Sequence, residues 1–403
     1  MARRISLSFG LQWAIAEGEY IANATNAPTI VNYPGVGAVK SARVTGMTSG
    51  QSSGFNLSPG TLDMYGVRWR ERTATRPTAA NTILRISGAA VYARVKRNSD
   101  GSLELSDEDG VIGTTAVLSL NTDYDIGVLF DRTTSAGTHQ VRLYINGVEA
   151  VGSGIRNISA TPNTLEFGAN RDGETQTQGD WYFTCIGVND NTTSDENGVP
   201  GAGRYQVYAF PTADGDAAVG ASRGGADSGA FWSQLDEVPP NDVTDYVEMN
   251  ATNSVVWCKV PSAATLGIGG AYIVHLIQVG GRVTLASAGA GNWFPSIKSQ
   301  SGGAVLDGTA TSLASTTWFT HDDTAGAKQY KLTSYRDPQT GGAWLASKID
   351  TMQIGAKTND GSPATRISAL WAIIEYTPFT VHIPHVVEGD FNGGLEVFAG
   401  GLS

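Results

Sequence analysis

The stretch V-R-L-Y-I-N-G-V-E-A-V, residues 141–151, decides the fold. Val141, Leu143 and Ile145 alternate with Arg142, Tyr144 and Asn146, the two-residue period of a strand that buries one face. Asn146-Gly147 supplies two residues tolerant of positive φ, which predicts a type I′ turn whose hand matches strand twist. The chain then returns through Val148–Val151 as a hairpin. Just before it, Tyr124, Ile126, Val128 and Phe130 alternate with Asp125, Gly127, Leu129 and Asp131. After a loop, Trp181, Phe183 and Cys185 alternate with Tyr182 and Thr184. Together these patterns predict an antiparallel sheet with one hidden face.

Working outward, Tyr65, Val67 and Trp69 mark another strand, Ile83 to Ile86 a further one, and Val91–Lys96 and Ser102–Leu105 flank an Asp100-Gly101 turn. Of 403 residues 50 are glycine, and charged residues make up only 16 %. Short apolar runs separated by Ser, Thr, Asn and Gly are an all-β composition. The length suffices for two domains with separate cores. A net charge of −11 argues against non-specific nucleic-acid binding, which needs a basic face. The most apolar run, Ala271 to Gly280, is broken by His275 and Gln278 and is too short to span a bilayer, so no membrane insertion is expected. Ile5 to Ala16 is broken by Ser6, Ser8, Gly10 and Gln12, so it reads as a strand or arm and not as a signal peptide. Cys185 and Cys258 sit in strand patterns and read as buried free thiols of a protein folded in a reducing cytoplasm.

From about Ala42 to Val188 the order of a strand, a polar loop, the L-Y-I-N-G-V-E hairpin and a strand opening on an aromatic resembles the laminin G-like, concanavalin-type jelly roll. The resemblance implies a sandwich fold and leaves function open, because lectins, hydrolase accessory modules, adhesins and virion proteins share it. From Phe231 to Pro378 a second pattern follows. Its Asp- and Pro-rich opening, the Asp337-Pro338-Gln339-Thr340-Gly341-Gly342-Ala343-Trp344 turn and the closing A-L-W-A-I-I-E-Y-T-P strand resemble a domain of tailed-bacteriophage virion proteins. The expected architecture is all-β. It comprises an N-terminal arm or first strands over 1–41, a jelly roll over 42–210 and a Gly/Ala/Asp-rich linker over 211–229. A second antiparallel β-sandwich spans 230–378 and an extended arm spans 379–403. Within that arm Phe379, Phe391, Leu395 and Phe398 are the residues read as partner-binding. An edge strand on its own domain reads equally well there.

Candidate chemistry is sparse. Asp107-Glu108-Asp109-Gly110 could hold calcium, yet it departs from the spacing of a calcium loop and reads as a charged hairpin tip. Asp236-Glu237 and Asp242–Asp245, beside Pro239-Pro240, read as turns, and no facing carboxylate pair of a glycosidase can be picked out. His382-x-x-His385 has metal-like spacing without a third ligand. His275 reads as a hydrogen-bonded core residue and His321-Asp322-Asp323 as a turn. No serine sits in a nucleophile elbow, and Gly267-Ile268-Gly269-Gly270 lacks the Lys-Ser/Thr of a phosphate loop. Trp181, Trp257 and Trp371 read as core, while Trp293 and Trp318 border glycine- or threonine-rich loops.

The residues therefore predict no catalytic, metal or cofactor site. The resemblances imply a non-enzymatic structural component of a tailed-phage virion, assembled in the host cytoplasm as a minor tail protein, capsid decoration or head fibre. Its partners would be other virion subunits, as a homo-oligomer on the particle, with host-glycan adhesion through the jelly roll. A free carbohydrate-binding lectin and a glycan-cleaving enzyme are the alternatives.

Overall fold

The computed structural model describes residues 3–7, 21–22, 28–44, 52–133, 139–152, 158–174, 179–190, 198–225, 229–238, 240–268, 272–320 and 330–378. These form two antiparallel β-sandwiches, as the composition predicts. In the first, an eight-stranded sheet runs in the order Val148–Val151, Gln140–Ile145, Asp123–Asp131, Met64–Thr73, Trp181–Asn189, Val36–Val44, Thr29–Tyr33, and Arg3–Leu7 also pairs with Trp181–Asn189. Facing it is a seven-stranded sheet centred on Asn81–Ser87 and Thr164–Ala169. The second sandwich packs a sheet built on Tyr272–Leu285 and Thr365–Pro378 against one built on Ser254–Lys259, Gln353–Thr358 and Gly291–Lys298.

The opening hairpin forms as read. Asn146 and Gly147 adopt φ of 52° and 81°, the paired positive values a type I′ turn requires. Val141 and Leu143 are fully buried, whereas Arg142 and Tyr144 lie on the outer face. Asp123–Asp131 pairs with this hairpin, and Met64–Thr73 separates it from Trp181–Asn189. The first core is aromatic: Phe55 stacks on Phe167 at 5.7 Å, and Trp69 meets Phe167 edge-on at 5.5 Å. It also encloses an ion pair between Glu71 and Arg97, with the Trp69 indole N–H donating to Glu71.

Two expectations are corrected. Tyr205–Ala209, inside the bounds 42–210 expected for the jelly roll, pairs instead with Thr365–Pro378 of the second sandwich. The stretch 211–229 is not a linker in its described part. Ala213–Asp214 pairs with Cys258–Lys259, and Ala221–Gly225 pairs with Asp245–Met249. Asp216 accepts from Lys298, Ser301, Gly302 and Gln353. These segments are tied by backbone ladders and one carboxylate, with few apolar side chains, so they carry no hydrophobic period. The expected arm, residues 379–403, lies outside the described residues.

The two sandwiches meet on one strand. Along Thr365–Pro378, Leu370, Ala372, Ile374 and Tyr376 face the second core, while Ala369, Trp371 and Ile373 pack with the first core. Ser368 is the extra residue of a bulge between the pairs Val283–Ile367 and Arg282–Ala369, which resets the alternation. Neighbouring Tyr205–Ala209 repeats the pattern, with Val207 and Ala209 inward and Tyr208 toward the first sandwich.

Candidate functional site

The outer face of the first sandwich's eight-stranded sheet becomes polar where the second sandwich covers it. Arg3 is fully buried and grips Glu375 in a forked pair, Nη1 to Oε2 at 2.6 Å and Nη2 to Oε1 at 3.1 Å. Its Nε donates to Asn189 at 2.6 Å and Nη1 also donates to Ser6. Glu375 accepts further from Arg204 at 2.9 Å and from the Gln206 amide at 2.8 Å. Burial pushes the Glu375 carboxyl up, but Arg3, with Arg68 and Arg204, overcomes this and holds it well below the usual carboxylate range. Arg3 and Glu375 come from opposite ends of the described chain, so this pair fastens one sandwich to the other.

Beside this junction the connection 198–204 lies flat on the sheet. Glycine is needed beneath it: a Cβ at Gly66 would fall 1.8 Å from the Gly198 carbonyl oxygen, and one at Gly127 would fall 2.6 Å from Val199 Cγ1. Buried Arg68 pins the connection, donating to the carbonyls of Gly201 at 2.9 Å and Arg204 at 3.1 Å, and to that of Cys185 at 3.2 Å. Cys185 adopts φ of 51° at a bulge of its strand, is fully buried, and burial raises its thiol pKa.

A cleft of about 420 Å³ opens between this connection and the opening hairpin, lined by Arg68, Asp125, Tyr144, Gly147, Val199 and Ala202 among others. The Asn146-Gly147 turn builds it. The Asn146 side chain accepts from the Asp125 N–H at 2.9 Å, and the Asn146 N–H donates to the Asp125 carbonyl at 2.7 Å. Asp125 is thereby set beneath the cleft, where its carboxylate accepts from the Gly203 N–H at 2.9 Å and stands 3.4 Å from Arg68 and from Arg70.

The other sheet of this sandwich presents a second polar group, the cross-strand row Asn56, Glu166, Arg85, Arg94 and Ser106. Its cations are already matched. Arg85 lies 3.6 Å from Glu166 and 3.5 Å from Asp172, Arg94 lies 2.5 Å from Asp172, and Arg171 lies 3.1 Å from Glu166.

The acidic motifs behave as turns. Asp107 accepts from the Asp109 N–H, and Glu108 accepts from the Ser159 N–H and hydroxyl. Asp242 accepts from Arg282 and Ser368. Burial raises the carboxyls of Asp236 and Glu237. Among the described residues no three His, Cys, Asp or Glu gather as metal ligands, and no helix is long and apolar enough to cross a membrane. His275 bonds Thr377 at 2.8 Å. Trp293 is buried despite its glycine-rich flank, while Trp318 packs on Tyr246. His321, Asp322, Asp323, His382, His385, Phe379, Phe391, Leu395 and Phe398 lie outside the described residues. Arg68, Asp125 and Arg3 were missed by sequence reasoning; the available signal was charge inside or beside clear strand patterns.

No family model matches the sequence, and no curated protein matches it. Solved structures similar to it include a sialidase, at 10 % identity and a TM-score of 0.32 over 47 % of this chain and 19 % of that chain. The alginate lyase Aly36B matches at 11 % identity and a TM-score of 0.32 over 47 % of this chain and 93 % of that one. A carbohydrate-binding module, CBM66 from Bacillus subtilis, matches at 9 % identity and a TM-score of 0.29 over 42 % and 95 %. The chain thus spans about a fifth of that sialidase's length. These are glycan-active or carbohydrate-binding proteins, and they correct the expectation of a non-enzymatic chain: enzymes stand among its structural neighbours. The correction withdraws the exclusion of enzymes and goes no further, because likeness at these scores carries no activity over to this chain.

Proposed function

We propose that this chain is a structural component of a tailed-phage virion, with host-glycan adhesion assigned to its first sandwich. The reading is supported by the resemblance of Phe231–Pro378 to virion proteins and by one structural observation above all. The strand that leads into residues 379–403 is buried on both faces from Ile367 to Tyr376 and tied to Arg3 through Glu375. A segment that transmits load or fixes a neighbour is best attached to such a strand. Phe379, Phe391, Leu395 and Phe398 then dock on another virion subunit or on a second copy of the chain.

Light scattering on the full chain and on a form ending at Pro378 tests this, together with binding of each to particles lacking the protein. Assembly or docking by the full chain alone is the expected result. Equal behaviour of the two forms would overturn the arm's role, and a full chain that neither assembles nor docks would overturn the virion reading.

A further inference from the structure

We infer that the cleft lined by Arg68, Asp125 and Tyr144 is a binding site for one neutral, hydroxyl-bearing ring, a sugar unit of a glycan. The inference rests on the adhesion reading of the first sandwich and gives it a place. Three observations carry it. The cleft, at about 420 Å³, falls in the range of small-molecule sites, roughly 300–1,000 Å³. Its polar groups have capacity left. Asp125 makes one short bond and two of 3.4 Å although a carboxylate offers about four acceptor sites, and the buried Arg68 Nη1 meets it only at that longer distance. The pair is also electrically balanced, which favours a neutral ligand over an anion.

A sugar hydroxyl suits this arrangement, donating to an acceptor site that Asp125 leaves open. The half-buried Tyr144 ring supplies an amphipathic wall. The polar row on the opposite sheet is the weaker candidate, because each of its guanidiniums is matched by a carboxylate within 3.6 Å. The site is also rigid. The Asn146-Gly147 turn fixes Asp125 and Arg68 fixes the connection, so little ordering accompanies binding.

Saturation-transfer NMR of the full chain against neutral and uronate-bearing mono- and oligosaccharides tests the site, with Tyr144→Ala, Ala202→Trp and Arg94→Ala. Tyr144→Ala removes the wall, Ala202→Trp fills the cleft, and Arg94→Ala alters the opposite sheet. The expected result is binding of a neutral saccharide, weakened about tenfold or more by Tyr144→Ala and abolished by Ala202→Trp, with Arg94→Ala unchanged. Unchanged melting temperatures separate these effects from misfolding, and either cleft variant suffices if the other fails to fold. Binding that survives both cleft variants, or is confined to uronates, would overturn the inference while leaving adhesion in place. No binding to any saccharide would overturn both.

Discussion

The two faces of the strand Thr365–Pro378 do different work with the same backbone. Its inner face is Leu370, Ala372, Ile374 and Tyr376, apolar packing of the kind any sandwich core uses. Its outer face is Ala369, Trp371 and Ile373 followed by a buried carboxylate, Glu375, held by Arg3 from the other sandwich. Apolar contact is tolerant of small displacements, whereas a forked Arg–carboxylate pair accepts essentially one geometry. The inner face therefore holds a sheet together, and the outer face sets how two sandwiches sit on one another.

That contrast can be broken in order of expected effect. Glu375→Ala removes the buried carboxylate that Arg3 grips and should cost about 3–5 kcal/mol in urea denaturation. A loss under about 1 kcal/mol would reduce the outer face to ordinary contact. Replacing both partners, Arg3→Met with Glu375→Leu, should recover only part of that loss, because Arg204, Gln206 and Asn189 lose their bonds to the pair.

Acid should reproduce the first effect. The folded Glu375 carboxyl titrates below its unfolded value, so its contribution is complete above about pH 4.3 and is lost as pH falls from there. The stability gap between wild type and Glu375→Gln should therefore narrow from pH 5 to 3, and a gap independent of pH would contradict the assignment. On the inner face, Ile374→Val removes one methylene and should cost only about 0.5–1.5 kcal/mol, without touching the junction. Least of all should come from the half-exposed pair Arg366–Glu248, 2.8 Å apart. Its removal should register at about 0–1 kcal/mol and vanish in high salt.

Legibility in the sequence followed the same division. The hairpin over 141–151 was readable because alternation and Asn-Gly are local signals, each sufficient to fix its own geometry. The second sandwich's turn was readable too: Asp337 accepts from the Gln339 N–H and Thr340 hydroxyl, and Trp344 is anchored by Ser334. What stayed hidden depends on partners distant in the chain. Nothing local to Arg3 near the N-terminus, or to Arg68 between Val67 and Trp69, signals that the second sandwich and the connection 198–204 bury them. The unbroken apolar run of Ala369–Ile374 does carry a signal of burial on both faces. The strands within 211–229 gave none, since edge strands of Gly, Ala and Ser satisfy their backbones without a hydrophobic face.

The most direct test of the account is differential scanning calorimetry of the intact chain and of Glu375→Ala at pH 7. A single cooperative transition for the intact chain that separates into two in the variant is the predicted result, two sandwiches made one body by a shared strand and a buried pair. Two independent transitions in the intact chain, unmoved relative to each other by the substitution, would contradict it.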